Sequence, residues 1–380
     1  MIVLKPGREK SVLRGHPWIF SGAIARAPKF SNGDILPVHD HEGKFLALAY
    51  FHTENSIAGR ILSFKQQNIE EILREKLLAA FTMRKSLLQN SNCFRHINAE
   101  GDGLSGLIID YYDNVFVIQI STIGMDRLKP LLVTLFVELF KPKAVYEKSL
   151  SSSRKQEGLS ESEGTLYGAL PEEIEVSENG VKFLVSITKG QKTGLFLDQR
   201  SMRKKIESYA KDKRVLNCFS YTGGFSLFAL KGGASEVVSI DSCKTASAYA
   251  QKNTELNHFS HHTIHVSDVF DFLRNDPLNF NLVILDPPAF AKKRNDVEQA
   301  CKGYIELNRL AIEKMPPASL LLTCSCSYFI DQNLFQNLIS QASCNRNVRI
   351  LEKHSQAIDH PTNIHHPEGE YLKSLLLYIE

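Results

Sequence analysis

Residues 215–226, Val215-Leu-Asn-Cys-Phe-Ser-Tyr-Thr-Gly-Gly-Phe-Ser226, decide the fold, because an apolar strand-like run leads directly into a turn with two glycines. Further strand-like runs follow at helix-length intervals, at residues 236–241, 263–266, 282–286 and 320–324. This alternation is typical of βαβ units that form a parallel sheet wrapped by helices. We therefore predict a doubly wound, Rossmann-like α/β fold for the C-terminal half, with ligands bound beyond the carboxyl ends of the strands.

The preceding half of the chain reads as two smaller modules. Short strand-like runs between Ile35 and Phe64 predict a compact β domain, and apolar residues at helical spacing between residues 66 and 88 begin a mixed α+β region. The polar stretch from Ser151 to Leu170 is interpreted as an exposed connection. We predict domains at residues 1–70 (β-rich), 71–188 (α+β) and 189–380 (α/β).

The composition excludes several classes of protein. Of the 380 residues, 43% are hydrophobic and 23% charged, which is ordinary for a globular chain and unlike a disordered one. No apolar run reaches the length of a membrane span, and the first residues lack the features of a secretory signal. Seven cysteines without a regular framework indicate free thiols, so we expect a cytoplasmic protein.

Basic residues are concentrated near the N-terminus, although the formal net charge is only +3. His16, Trp18 and Phe20 are interleaved with them, and such rings can stack on nucleic-acid bases. The alternative is a solvated basic edge with Trp18 anchoring a core. Both interpretations stay open. The basic residues in question are Lys5, Arg8, Lys10, Arg14, Arg26 and Lys29.

Acidic residues at successive strand ends outline a nucleoside pocket. Asp241 ends the second strand, 18 residues after Gly223, where a carboxylate can accept hydrogen bonds from ribose hydroxyls. Asp268, after the third strand, is placed to face an adenine amine. A dinucleotide would require G-x-G-x-x-G at the turn, which is absent. Each Asp taken singly could instead be a helix N-cap.

These motifs resemble, in order, those of class I S-adenosylmethionine-dependent methyltransferases. Lys192-Thr-Gly-Leu-Phe-Leu-Asp-Gln-Arg200 looks like a signature of one branch of RNA methyltransferases, and the N-terminal part resembles a PUA RNA-binding module. Glu100-Gly-Asp-Gly-Leu104 and Glu175-Val-Ser-Glu-Asn-Gly180 are similar to the middle domain of that branch. The resemblance is strongest to the 23S rRNA cytosine-C5 methyltransferases of the large-subunit methyltransferase I family. It implies S-adenosylmethionine as cofactor and 23S ribosomal RNA, free or partly assembled into a subunit, as partner.

The resemblance also implies the residues of the two binding sites. The expected cofactor-binding residues are Lys192, Gly194, Phe196, Asp198, Arg200, Phe219, Tyr221, Thr222, Gly223, Asp241, Asp268 and Asp286. The expected substrate-binding residues are Pro287, Pro288, Phe290, Lys292 and Trp18.

Two motifs bear on the chemistry. Asp286-Pro-Pro-Ala-Phe290 follows a strand and by itself resembles sites that methylate the exocyclic amine of an extruded base. The next strand ends in Thr323-Cys-Ser-Cys-Ser327. An exocyclic amine needs no thiol, whereas C5 of cytosine becomes nucleophilic only after a thiolate adds at C6. The cysteines therefore favour C5 methylation.

The strand period does not choose between the two thiols, because Cys324 and Cys326 share one parity. Cys326-Ser-Tyr-Phe-Ile-Asp-Gln-Asn333 resembles the register of the nucleophile in RNA cytosine-C5 methyltransferases, so the resemblance implies Cys326 as nucleophile. Asp286 is the second catalytic candidate, either as base or as the group that hydrogen-bonds N3 and the 4-amine. Ala289 stands where many such enzymes have a second cysteine, so the acceptor of the C5 proton is unassigned.

Two other functions remain open at this point. The first is an exocyclic-amine methyltransferase that acts on guanine or adenine through Asp286 to Phe290, and the second is a non-catalytic RNA-binding or assembly protein. No metal site is expected, because C-x-C without a second cysteine pair lacks the usual ligand spacing. The sequence does not decide between a monomer and a homodimer.

Overall fold

The computed structural model describes residues 1–343 and 345–380, which fold into two compact units. The first unit contains Met1–Ile174 and Ile358–Gly369, and the second contains Glu175–Ala357 and Glu370–Glu380. The division therefore falls near residue 174, and the predicted boundaries at 70 and 188 stay predictions. In the described part of the chain, no helix is long and apolar enough to cross a membrane.

The first sheet of the first unit has six strands, in the order β2-β6-β5-β4-β1-β3. Its elements are β1 (Ile2–Leu4), α1 (Glu9–Leu13), β2 (Trp18–Phe20), β3 (Ile24–Arg26), β4 (Ile35–His39), β5 (Phe45–Phe51) and β6 (Ile57–Ser63). The three runs predicted between Ile35 and Phe64 are β4 to β6, which confirms the predicted β module.

The second sheet of the first unit has five strands, in the order β11-β10-β9-β8-β7. Its elements are α2 (Ile69–Leu87), β7 (Cys93–Asn98), β8 (Leu107–Tyr112), β9 (Val115–Ile120), α3 (Ile123–Phe140), β10 (Ala144–Ser149), α4 (Ser153–Gln156) and β11 (Ser162–Gly168). Apolar residues of α2 and α3 pack on the sheet in one core, which includes Leu73, Leu77, Phe116 and Phe136. The helical spacing predicted between residues 66 and 88 corresponds to α2 and is confirmed.

The interpretation of Ser151 to Leu170 as an exposed connection is wrong. Residues 162–168 form the edge strand β11, which pairs antiparallel with β10. Alternate residues of β11 are exposed because successive side chains of a strand point to opposite faces of the sheet, so the stretch is polar although it is regular structure.

A short segment, Ile358–Gly369, belongs to the first unit although it lies late in the sequence. The buried Arg84 side chain donates from Nη2 to the carbonyl of Asp359 at 2.9 Å, and the backbone N–H of Arg95 donates to the Asp359 carboxylate at 3.0 Å. The Asn98 amide donates to the carbonyl of Pro361 at 3.0 Å. Buried charge-assisted hydrogen bonds therefore fix this segment.

The second unit is built around a seven-stranded sheet, with a separate pair of strands, β12 and β13. Its strands are β12 (Ile174–Glu178), β13 (Val181–Val185), β14 (Arg214–Cys218), β15 (Glu236–Asp241), β16 (His262–Val266), β17 (Leu282–Leu285), β18 (Ser319–Ser325), β19 (Val348–His354) and β20 (Lys373–Ile379). Its helices are α5 (Arg200–Tyr209), α6 (Gly224–Lys231), α7 (Lys244–Leu256), α8 (Val269–Asn275), α9 (Val297–Lys314) and α10 (Gln332–Ala342).

The strands of the large sheet run in the order β16-β15-β14-β17-β18-β20-β19. The five predicted strands are β14 to β18, and they pair in parallel. At one edge the sheet also contains two strands that the sequence did not predict, β19 and β20, and β20 runs antiparallel to both β18 and β19. The strand order reverses between β14 and β17, which opens a crevice at their carboxyl ends.

Both faces of this sheet are buried, as the continuous apolar runs predict. In β17, Val283 and Leu285 lie in one core cluster, whereas Leu282 and Ile284 lie in the cluster on the other face. This double burial makes the strand ends rigid positions for side chains in the crevice.

Candidate active site

A cleft opens at the carboxyl ends of β14, β15, β17 and β18, in the second unit. Residues from the loop before α5, Arg203 of α5 and Leu372, the residue before β20, complete its walls. The cleft is lined by Gln191, Lys192, Leu195, Phe196, Asp198, Gln199, Arg203, Phe219, Ser220, Tyr221, Thr222, Gly224, Phe225, Asp241, Ser242, Cys243, Asp286, Pro287, Pro288, Cys326 and Leu372.

Asp241 is held in a fixed orientation at one side of the cleft. One carboxylate oxygen accepts the backbone N–H of Tyr221 and the other accepts that of Cys243, both at 2.8 Å. The turn that presents these groups is strained, since Phe219 and Tyr221 have φ values of 58° and 49°. Such strain is typical of a turn shaped for a ligand.

The loop before α5 is hydrogen-bonded to the turn that contains Tyr221. The Tyr221 hydroxyl donates to the carbonyl of Gly194 at 3.0 Å and accepts the backbone N–H of Gln191 at 2.9 Å. A Cβ at Gly194 would lie 2.4 Å from Cγ1 of Val185, and φ is 123° there, so only glycine fits. The Lys192 ammonium lies 3.1 Å from the Asp198 carboxylate and 4.4 Å from the Phe196 ring centroid.

Two arginines of α5, Arg200 and Arg203, bind the buried carboxylate of Glu178 next to this loop. Arg203 binds the fully buried Glu178 through two hydrogen bonds of 2.7 Å and donates to the carbonyl of Phe196 at 2.7 Å. Arg200 lies 3.4 Å from the same carboxylate. Arg200 is therefore a buried support and is not part of the cleft lining.

Asp286 lies at the inner end of the cleft. The Gln199 side-chain amide donates to its Oδ1 at 2.9 Å. Burial, together with the nearby Asp198 carboxylate, raises the pKa of Asp286 to about 7. The carboxyl group is thus partly protonated at neutral pH and can donate as well as accept a proton.

The two cysteines of the motif occupy different positions. Cys324 is fully buried within β18, whereas the strand ends at Ser325 and Cys326 lines the cleft, with its Sγ 3.9 Å from the carbonyl oxygen of Pro287. Burial raises the pKa of Cys326 to about 11 and holds the pKa of Cys324 well above its usual value. The thiol that faces the cleft is Cys326.

Sequence reasoning missed two side chains next to these groups. Gln199 lies between Asp198 and Arg200 in the motif from Lys192 to Arg200, so its position there could have identified it as a site residue. Lys373 is 4% exposed and donates to the carbonyls of Ser327 and Tyr371, both at 2.7 Å. No sequence motif identifies Lys373, because this residue lies on the antiparallel strand β20 and reaches the site through strand pairing.

The structure brings most of the predicted cofactor residues together. Gly194, Arg200 and Gly223 lie just behind the lining, and Gly223 begins α6 with a φ of 82°. Asp268 is placed outside the lining, where its carboxylate caps α8 by accepting the backbone N–H of Asp271 at 3.0 Å. The cofactor residues in the lining are Lys192, Phe196, Asp198, Phe219, Tyr221, Thr222, Asp241 and Asp286.

The predicted substrate residues are less concentrated. Pro287 and Pro288 line the cleft, but the Phe290 ring packs against Tyr304 at 4.7 Å between centroids and is not in the lining. Lys292, two residues after Phe290, is exposed. Trp18 lies in the first unit, where its indole N–H donates to Glu100 at 3.0 Å and its ring meets His366 at 4.3 Å.

Comparison with known proteins defines the class of this fold and site. Residues 154–365 match the family described as S-adenosylmethionine-dependent methyltransferase, and residues 2–64 match the PUA-like domain family. A chain described as an SAM-dependent methyltransferase from Streptococcus mutans superposes with a TM-score of 0.83 at 25% identity, over 99% of both chains. Another methyltransferase structure, a complex with SAH, gives a TM-score of 0.85 at 25% identity over 99% of both chains. The protein is an S-adenosylmethionine-dependent methyltransferase with an N-terminal PUA-like domain.

Relatives that match over nearly the whole chain show which family of methyltransferases it belongs to. Ribosomal RNA large subunit methyltransferase I of Vibrio vulnificus is 42% identical over 98% of this chain and 97% of its own length. The protein of the same name from Vibrio parahaemolyticus is 43% identical over the same shares. The chain belongs to the ribosomal RNA large subunit methyltransferase I family.

The cleft fits S-adenosylmethionine by its own chemistry. Asp241 presents an oriented carboxylate to the cleft, and Ser220 contributes a buried hydroxyl oxygen that has no hydrogen-bond partner among residues 1–343 and 345–380. Phe219 and Phe225 add apolar surface between these polar groups. This mixture suits a nucleoside with hydroxyl groups and an aromatic base.

Proposed function

We propose that the protein transfers a methyl group from S-adenosylmethionine to C5 of a cytidine in 23S ribosomal RNA, with Cys326 as the nucleophile. The observation that carries this proposal is the shared cleft of Cys326 and Asp286, the first a thiol and the second a carboxyl group with a pKa of about 7. The names of the full-length relatives support ribosomal RNA as the substrate.

The thiol is needed because C5 of cytosine is a poor nucleophile. The Cys326 thiolate adds to C6, forming the S–C6 bond, and the electron pair of the C5–C6 double bond becomes available at C5. C5 then bonds to the methyl carbon while the bond between that carbon and sulfur breaks. Loss of the C5 proton to a base and expulsion of the thiolate from C6 restore the aromatic ring.

Asp286 assists the addition step. In its protonated form it donates a hydrogen bond, and then a proton, to N3 of cytosine, which draws electron density away from C6. Elimination returns that proton to the carboxylate. Gln199 binds Oδ1, so the proton resides on Oδ2, the oxygen that remains for the base.

The cofactor supplies an electrophilic methyl group on a sulfonium. We assign its ribose hydroxyls to Asp241, which lines the cleft, and its adenine to the apolar surface near Phe219. Lys192 and Asp198 lie in the loop that closes the other side of the cleft. Pro287 and Pro288 form the rigid edge against which the target base lies.

The test uses RNA that contains 5-fluorocytidine together with S-adenosylmethionine. Fluorine cannot leave C5 as a proton does, so the enzyme stays covalently attached and a denaturing gel with peptide mapping shows which cysteine is bound. We expect the adduct on Cys326, none with Cys326→Ala, and an adduct at wild-type yield with Cys324→Ala, the matched control.

Three results would contradict the proposal in different ways. An adduct on Cys324 would keep the reaction and reassign the nucleophile. Methyl transfer by Cys326→Ala without any adduct would point to an exocyclic amine as the acceptor. Binding of RNA with no transfer to any ribosomal RNA fragment would favour a non-catalytic protein.

A further inference from the structure

Lys373 contacts the residues on either side of Cys326 in the chain, although it does not line the cleft. Its backbone pairs with Ser325, the residue before Cys326, in the antiparallel β18–β20 register. Its ammonium donates to the carbonyl of Ser327, the residue after Cys326, at 2.7 Å. The lysine therefore meets both chain neighbours of the thiol, and it is 4% exposed.

A buried ammonium is costly unless it is compensated. The hydrogen bonds recorded for Lys373 go to two neutral carbonyls, those of Ser327 and Tyr371, and neither carries a full negative charge. Burial lowers the pKa of Lys373 to about 8, while Cys326, Glu370 and Asp331 act in the opposite direction. Glu370 and Asp331 are carboxylic acids, whereas Cys326 carries a negative charge only after its thiol has lost a proton.

Cys326 has charged neighbours of both signs. Burial raises its pKa, the carboxylates of Asp286 and Asp198 raise it further, and the ammonium groups of Lys192 and Lys373 lower it. Two neutral groups, the Tyr304 hydroxyl and the Cys324 thiol, also interact with it. Lys192 has the larger effect on this pKa, but its side chain is 43% exposed in a loop, whereas Lys373 is buried and its ammonium is held by the carbonyl of Ser327, the residue after Cys326.

We propose that the Lys373 ammonium stabilises the thiolate of Cys326 and acts as a positioning residue for the nucleophile. The inference rests on the proposed role of Cys326 in methyl transfer. When the thiol loses its proton to solvent, the new negative charge forms next to a cation that is already in place, so no reorganisation is needed. The lysine binds neither base nor cofactor in this role.

A purely structural role is the competing explanation, because Lys373 also ties the end of β18 to the start of β20. Three substitutions separate the two roles. Lys373→Arg keeps both the charge and the hydrogen-bond donors, Lys373→Gln keeps a donor without charge, and Lys373→Met keeps neither.

The experiment measures the rate at which iodoacetamide alkylates Cys326 in the full chain without RNA, by peptide mass quantification at about pH 7 and about pH 9.5. Below the thiol pKa this rate is proportional to the thiolate fraction. We expect Lys373→Gln and Lys373→Met to lower the rate roughly tenfold at neutral pH, which corresponds to a thiol pKa about one unit higher.

The pH dependence of the alkylation rate shows whether the effect of Lys373 depends on its charge. Wild-type Lys373 loses its proton as the pH rises through about 8, so the difference from Lys373→Gln narrows at the higher pH. Lys373→Arg stays charged and keeps the wild-type rate or a higher one at both values. Lys314→Met is the matched control, because Lys314 also donates to backbone carbonyls, those of Leu273 and Arg274, outside the cleft.

The inference is overturned if Lys373→Gln alkylates at the wild-type rate, since the donors alone would then suffice. It is also overturned if the alkylation rate of the Lys373→Arg variant falls as far as that of the Lys373→Met variant. Alkylation of the fully buried Cys218 reports unfolding, and the comparison of Gln with Arg still decides if the Met variant fails to fold. Because this readout involves no RNA, failure of the proposed function shows separately, in the 5-fluorocytidine test.

Discussion

Gln199 and Asp286 form a hydrogen bond of 2.9 Å that joins the loop before α5 to the end of β17. The amide can only donate to the carboxyl oxygen through its nitrogen, so Oδ1 is held as an acceptor. This one contact fixes both the orientation of the carboxyl group and the oxygen that carries its proton.

Removing this donor changes the acidity of Asp286. The Gln199 hydrogen bond lowers the pKa of Asp286, so Gln199→Leu raises that pKa further above 7. If the protonated form is active, the decline of methyl transfer at alkaline pH moves to higher pH, and kcat falls about tenfold through lost orientation. Methylation rates measured against pH test this, with Gln336→Leu, outside the cleft, as control. An unshifted profile contradicts the assigned role.

Asp286 makes folding stability depend on pH. Its pKa is about 7 in the folded protein against 3.8 as its usual value, so the folded state binds the extra proton between these values. Stability from this group is complete below about pH 4 and is lost as the pH rises through about 7, with an upper bound of about 4 kcal/mol. Asp286→Asn lacks this loss and should exceed the wild type in urea midpoint at about pH 8 but not at about pH 4. Equal differences at both values would show that folding does not raise the pKa of Asp286.

Asp241 and Asp268 are expected to behave differently on substitution. Asp241→Ala removes a carboxylate that lines the cleft, and we expect roughly a thirtyfold loss of S-adenosylmethionine affinity, or about 2 kcal/mol. Asp268→Ala removes a helix cap and should cost about 1 kcal/mol of stability with little change in affinity. Calorimetric titration measures both affinities, and a comparable loss for Asp268→Ala would restore its predicted contact with adenine.

The buried ion pair of Arg84 and Asp102 stabilises the first unit. Arg84 is fully buried and binds both carboxylate oxygens, one at 2.6 Å and the other at 2.7 Å. Arg84→Met leaves Asp102 without this partner, and we expect a loss of about 3–5 kcal/mol. Arg74→Met, on the same helix but in an exposed pair with Glu138, should leave the urea midpoint unchanged. Equal effects of the two substitutions would contradict the role of burial.

The central strands could be predicted from sequence because each is buried on both faces and is therefore continuously apolar. The strands β19 and β20 could not, because their position depends on pairing between segments far apart in the chain. Ile350 and Leu351 are exposed on β19, so that strand carries no clear alternation. Burial of a strand gives a local signal, whereas the direction of its pairing does not.

The candidate site shows the same distinction. Asp241 and Asp286 directly follow predicted strands, so their place at the cleft could be expected. The parity argument could not separate Cys324 from Cys326, because it assumes that the strand continues, and β18 ends at Ser325. Asp268 illustrates the opposite outcome, since an Asp after a strand is also a good helix cap.

The segment Ile358–Gly369 makes each of the two units discontinuous in sequence. A fragment that begins at Glu175 would carry Asp359 and Pro361 without the side chains that hold them, and a fragment that ends at Ile174 would leave Arg84 without one of its acceptors. A single proteolytic cut near residue 174 would therefore leave the halves associated through this segment. Neither unit is therefore a module that can be exchanged by truncating the chain at a single point.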